Sequence, residues 1–184
     1  MKIIPTALNN AVIIEPQVYG DSRGFFFESF NEQVFAEKVD AQVRFVQDNH
    51  SLSHQGVLRG LHYQIQHPQG KLVRVVAGEV LDVAVDLRRH SSSFGQWASC
   101  WLTAENKRQF WVPPGFGHGF LVFSPRAEFL YKTTDFYYPT GERTISWNDP
   151  DLAIDWQLEL LPTPPILSAK DQQGLSFQAA EVFL

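Results

Sequence analysis

The chain has 184 residues, 44% of them hydrophobic and 19% charged, a normal balance for a globular protein long enough to bury a core. A net charge of −5 argues against a nucleic-acid partner, but a few local Arg and Lys would still suffice to hold a phosphate-bearing small molecule. One cysteine, Cys100, permits no intramolecular disulfide, and with neither a signal-peptide pattern nor an apolar run of membrane length the expectation is a soluble, cytoplasmic protein that binds no membrane.

Taken in order, the chain reads as short strands punctuated by Gly, Pro, Asn and Asp. Strands are predicted at Val12–Glu15 and 24–30. A short helix follows over 31–39, opened by an Asn31 cap with Val34, Phe35 and Val39 on one side. Further strands are predicted at 44–51, 57–65, 72–76, 79–87, 96–102, Gln109–Val112, 119–122 and 129–136. The run at 80–87 alternates with period two, placing Leu81, Val83, Val85 and Leu87 on one face and Asp82 and Asp86 on the other. Ala77, Gly78 and Glu79 before it are expected to form a hairpin turn. From about residue 162, where Pro162, Pro164 and Pro165 break the pattern, a tail is expected to pack on the body, with a turn or short helix within 172–182. Many short strands with frequent turns predict an all-β sandwich or barrel with one or two short helices, a single domain over 1–184. The 14% aromatic share suits such a core, or a pocket for a flat ring.

Two stretches place histidines where chemistry could sit. His62 lies inside a predicted strand after Gly56 and Gly60, and His118 follows Pro113, Gly115 and Gly117. These stretches resemble the two motifs of the cupin superfamily of jelly rolls. Metal-binding cupins would carry a His at the position of Gln64 and a polar residue at that of Val122, and Lys71 falls where a carboxylate ligand would stand. A charged Lys is a poor ligand, and two His are too few for a catalytic metal, which typically takes about three protein ligands, so no metal is expected.

The order of motifs is more specific. Residues 21–28 (DSRGFFFE), 45–51 (FVQDNHS), 58–64 (LRGLHYQ), 70–74 (GKLVR), 113–120, 128–135 (EFLYKTTD), 147–150 (WNDP) and 167–171 (LSAKD) together resemble the dTDP-4-dehydrorhamnose 3,5-epimerase family across nearly the whole chain. The resemblance implies a cupin-like jelly roll, a homodimer, and a reaction that removes and returns protons at C3 and C5 of a 4-keto sugar linked to dTDP. It assigns His62 as base, Lys71 to the enolate oxygen, Tyr131 as acid and Asp171 as the partner of the base. It also places Arg23, Phe26, Glu28, Gln47, Asn49, Arg59, Lys71, His118, Glu142 and Lys170 against the nucleotide-sugar. Tyr137 matches the aromatic that stacks on thymine, although Tyr138 beside it is an equal match in type. No cofactor is implied, because the ketone of the substrate acts as the electron sink. Strand parity alone puts His62 on the face opposite Arg59; either a bulge at Gly60 between them brings both to one ligand, or Arg59 reaches a pocket to which the partner subunit contributes, and the sequence does not decide between the two. Related readings are a 3- or 5-epimerase or a ketoisomerase on a dTDP-4-keto-sugar, a non-catalytic sugar-nucleotide binder, and a metal-dependent cupin oxygenase.

Overall fold

A computed structural model describes residues 1–184. In chain order it contains β1 (Lys2–Pro5), β2 (Val12–Glu15), β3 (Tyr19–Asp21), β4 (Gly24–Phe26), α1 (Glu32–Lys38), β5 (Gln47–His54), β6 (Leu58–Gln64) and β7 (Lys71–Ala77). It continues with β8 (Glu79–Asp86), β9 (Trp97–Thr103), β10 (Gln109–Val112), β11 (Phe116–Val122), β12 (Arg126–Thr133), β13 (Glu142–Thr144) and α2 (Ala169–Gln172). Two antiparallel sheets carry most of these strands, one ordered β1-β2-β10-β7-β12-β5 and the other β13-β6-β11-β8-β9. From β5 to β12 the chain crosses repeatedly from one sheet to the other, the all-β jelly-roll architecture expected. No helix is long and apolar enough to cross a membrane.

The strand alternation explains the layers. Val80 and Ala84 of β8 point between the sheets and join Val73, Val75, Phe110, Phe120, Phe129 and others in the central core. Leu81, Val83, Val85 and Leu87, on the opposite parity, fill a second core outside the five-stranded sheet. The C-terminal tail covers this second core: Trp156, Phe177 and Phe183 pack there, and isolated bridges join Ile166 to Val57, Leu175 to Ile145 and Phe183 to Arg88. A third cluster lies outside the six-stranded sheet, where α1 sets Phe35 against Ile14, Leu72 and Trp111. The helix starts as predicted, with Asn31 Oδ1 accepting the Val34 N–H at 3.1 Å.

Several boundaries differ from the sequence reading. The strand expected at 24–30 stops at Phe26, because Gly24–Phe26 folds back on β3 as a separate two-stranded hairpin. Phe30 leaves that line to pack on Phe35 and Phe45, at ring-centroid distances of 6.0 and 5.2 Å. The strand expected at 129–136 runs instead over Arg126–Thr133; past it the Thr134 hydroxyl accepts the Gly70 N–H and Asp135 turns the chain by accepting the Phe136 N–H. The turn or short helix expected within 172–182 is present as a single 3-10 turn at Phe177–Ala179, capped by Ser176, and the sequence reading missed the helix before it, α2, where Ser168 and Asp171 form a capping box. The short strands β1, β3 and β13 have no sequence signal strong enough to separate them from turns.

Candidate active site

Strand β6 carries the decisive irregularity. Its pairing with β11 matches His62 to His118 and Arg59 to Phe120, so three steps on β6 oppose two on β11. That bulge reverses the parity: Leu58 and Leu61 face the outer core, while Arg59 and His62 face inward together. Glycines make it possible. Gly60 has φ +130, and a Cβ there would lie 2.6 Å from Gly119 Cα.

Arg59 and His62 line a cavity of about 170 Å³ with Ser51, Lys71, His118, Phe120, Phe129 and Tyr131. The structure thus brings together five of the residues singled out in the sequence, from strands β6, β7, β11 and β12. Asp171 stands behind His62, its Oδ1 2.7 Å from Nε2. The carboxylate is almost fully buried, which alone would raise its pKa. Hydrogen bonds from His62, from the Ser168 hydroxyl and from the Gly60 N–H reverse this and hold it well below the usual carboxylate range. An ionised carboxylate only accepts, so the His62 proton sits on Nε2 and the lone pair on Nδ1. Burial lowers the pKa of His62, against the opposing pull of Asp171, so the ring is neutral and competent as a base near pH 7.

Lys71 opens β7, with Nζ 3.4 Å from the His62 carbonyl oxygen. Removal from bulk water pushes its ammonium down to about 8, partly offset by the charges of Asp82 and Glu142. It therefore remains largely cationic at neutral pH. Tyr131 projects inward from β12 beside Phe129. Burial raises the pKa of its phenol, with Arg59 opposing, so it keeps its proton. A neutral imidazole, an ammonium and a protonated phenol facing one cavity can together take a proton from carbon, stabilise an oxyanion and return a proton.

His118 lies within β11, and its Nε2 is 2.9 and 3.0 Å from the two oxygens of Asp82. Asp82 is fully buried, and burial raises its pKa against the pull of His118. Sequence reasoning missed Asp82, because the alternation at 80–87 sets it on the polar face, opposite Leu81 and Val83, and that face is covered only once the second sheet packs on it.

A second polar chain runs beside the cavity. Gln47 Nε2 donates to Asn49 Oδ1 at 2.9 Å, and Gln47 Oε1 accepts the Tyr137 N–H at 3.2 Å. The Tyr137 hydroxyl donates to Glu142 at 3.0 Å, and Glu142 is paired with Lys170, the neighbour of Asp171. Tyr138 is engaged differently, its ring edge-on to His67. Asn49 Nδ2 is buried without a partner. Arg23 and Phe26 lie apart from this group, on the β3–β4 hairpin, and Glu28 accepts from the Asn31 amide at 3.2 Å near the start of α1. None of the three lines the cavity of its own chain. No group of three or more His, Cys, Asp or Glu side chains converges as a metal site.

Known proteins share the fold and much of the sequence. Residues 5–179 match the family described as dTDP-4-dehydrorhamnose 3,5-epimerase. An epimerase of that name from Pseudomonas aeruginosa is 59% identical over 183 residues, covering 100% of this chain and 99% of its own length. A crystal structure of the Legionella pneumophila dTDP-6-deoxy-D-glucose-3,5-epimerase with dTDP-4-keto-L-rhamnose superposes with a TM-score of 0.94 at 53% identity, covering 98% of this chain and 94% of that one. More distantly, a 3'-monoepimerase from Streptomyces bikiniensis in complex with dTDP-quinovose gives a TM-score of 0.87 at 32% identity, over 96% and 88% of the two chains. With the likeness extending from the first strands to the tail that carries Asp171, this chain belongs to the dTDP-4-dehydrorhamnose 3,5-epimerase family.

Proposed function

We propose that this protein converts dTDP-4-dehydro-6-deoxy-D-glucose to dTDP-4-dehydro-L-rhamnose, a step toward dTDP-L-rhamnose, by proton abstraction and return at C3 and C5. The observation that carries this reading is the 2.7 Å His62–Asp171 pair facing a cavity shared with Lys71 and Tyr131. His62 Nδ1 takes the proton next to the ketone, and the electron pair moves onto the C4 oxygen as an enolate. The Lys71 ammonium stabilises that oxyanion, and Tyr131 delivers a proton to the opposite face of the sugar. The cycle consumes no cofactor, because the carbonyl accepts and returns the electrons.

The binding roles are those the family resemblance implies. Arg59 and His118 meet the polar parts of the ligand inside the cavity, while Gln47, Asn49, Glu142 and Lys170 form its rim, with the Tyr137 ring as the platform for thymine. Tyr137 is favoured over Tyr138 because it is tied to Gln47 and Glu142, whereas the Tyr138 ring packs on His67. Arg23, Phe26 and Glu28 act in a homodimer, where the hairpin serves the partner's cavity. Tyr19, Phe25 and Phe26 are 63%, 62% and 67% exposed on that hairpin, a patch suited to burial against a second copy. Light scattering at micromolar concentration should give a dimeric mass; a monomer would remove this part of the proposal.

Tyr131→Phe tests the chemistry. The ring remains, so packing changes little, and His62 with Lys71 still forms the enolate. Deuterium from heavy water should enter the sugar with little inverted product, because His62 returns the proton to the face it came from. Inversion at the wild-type rate would exclude Tyr131. Following C3 and C5 separately also distinguishes a double epimerase from a mono-epimerase.

A further inference from the structure

The carboxylate behind the proposed base is gripped from its far side by a residue with no role in the steps above. Ser168 caps α2. Its oxygen accepts the Asp171 N–H at 3.2 Å, and its hydroxyl donates to Asp171 Oδ2 at 2.5 Å. The Ser168 N–H approaches the same Oδ2 at 3.4 Å. Oδ1 is left to the Gly60 N–H at 3.1 Å and to His62 Nε2 at 2.7 Å.

In an ordinary capping box the acidic residue only closes the helix end. Here that acid is 3% exposed and shared with the active-site imidazole, and the helix it closes has four residues. We propose that Ser168 is a positioning residue for the epimerisation: by fixing Asp171 Oδ2 it aims Oδ1 at His62 Nε2 and so holds His62 Nδ1 toward the cavity.

The physical reason lies in the carboxylate torsion. The terminal χ of Asp is broad, so a carboxylate anchored through one oxygen can swing away from its partner. Donors on both oxygens remove that freedom. They also spread the negative charge, which limits how strongly Asp171 favours protonated His62. Without the Ser168 hydroxyl, the carboxylate would rotate more freely and its charge would concentrate on Oδ1. The base would then be less well aimed and would protonate at higher pH.

The inference rests on His62 being the base, and the experiment separates the two claims. Turnover is measured against pH for the wild type, Ser168→Ala, Ser168→Gly, Ser168→Thr and His62→Asn, with thermal melts on each. Gly is accepted at helix N-caps, so Ser168→Gly removes the hydroxyl with little loss of the cap. Ala and Gly should each lower kcat about tenfold, the scale of one hydrogen bond to a charged group, with KM nearly constant. The acid limb of the pH profile should move to higher pH, and Ser168→Thr should restore both. A purely structural cap predicts lower melting temperatures with kcat and the acid limb unchanged below the melt, which would overturn the positioning role. If His62→Asn keeps wild-type turnover, the base assignment falls and the role of Ser168 with it. If His62→Asn is inactive while the Ala and Gly variants match the wild type, only the role of Ser168 falls.

Discussion

Two histidine–carboxylate pairs face the cavity from neighbouring strands, and they are built differently. His62 and His118 are cross-strand partners, and each binds its carboxylate through Nε2. Asp171 receives donors on both oxygens from three different residues, whereas Asp82 receives only His118. Burial therefore prevails at Asp82 and raises its pKa, while hydrogen bonding prevails at Asp171 and lowers it. Access differs as well: the His62 side chain is 25% exposed and that of His118 7%. The lesson is that the donors around the carboxylate, more than the pairing itself, decide which imidazole is backed by a fixed anion and free to act on a ligand.

Substitutions can break this comparison in graded steps. His62→Asn should have the largest effect, a loss on the order of 10²–10⁴ in turnover with dTDP binding and fold retained, read by proton exchange at the sugar and by circular dichroism. Asp171→Asn should come next, at about 10², because the amide weakens the hold on the Nε2–H tautomer and removes the fixed charge. Asp82→Asn should cost least, about tenfold, because His118 keeps an acceptor and performs no proton transfer in the proposed cycle. An equal loss from the two Asp variants, measured as kcat side by side, would mean that the pairs are functionally equivalent.

The smallest expected effect is a shift in the pH profile. The base must be neutral, so turnover falls as pH drops through the pKa of His62, which burial sets below its ordinary value. Lys71 must be charged, so turnover falls again as pH rises past about 8. Lys71→Arg, which stays cationic, should carry the alkaline limb upward while leaving the acid limb in place. An alkaline limb that does not move would detach Lys71 from it.

Much of this was legible beforehand. Strict alternation at 80–87 located β8, and the Asn31 cap located α1, because both signals are local. The pairing of Arg59 with His62 in one cavity was legible only as one of two alternatives, since parity separates them, Gly60 merely permits a bulge, and the register against β11 creates it. Asp82 was visible as an acid among apolar residues. Its burial depends on both faces of β8 being covered, one by the facing sheet and one by the tail. The cap formed by Ser168 and Asp171 was not read from the sequence, and its second use needs a strand far away in the chain. The hairpin remained hidden inside a run of phenylalanines, because hydrophobicity alone does not tell a strand that stays in the main sheet from one that projects away from it.

That distance has a kinetic consequence. His62 and Asp171 are 109 residues apart, and the tail bearing Asp171 is joined to the body through single bridges at Ile166, Leu175 and Phe183 rather than by a full ladder. Closing so long a loop is entropically opposed and is rewarded only after the strands it docks on exist. The two sheets can therefore assemble their shared interior while the imidazole still lacks its anion. The competence of the base therefore rests on a segment that neither sheet needs for its own strand pairing.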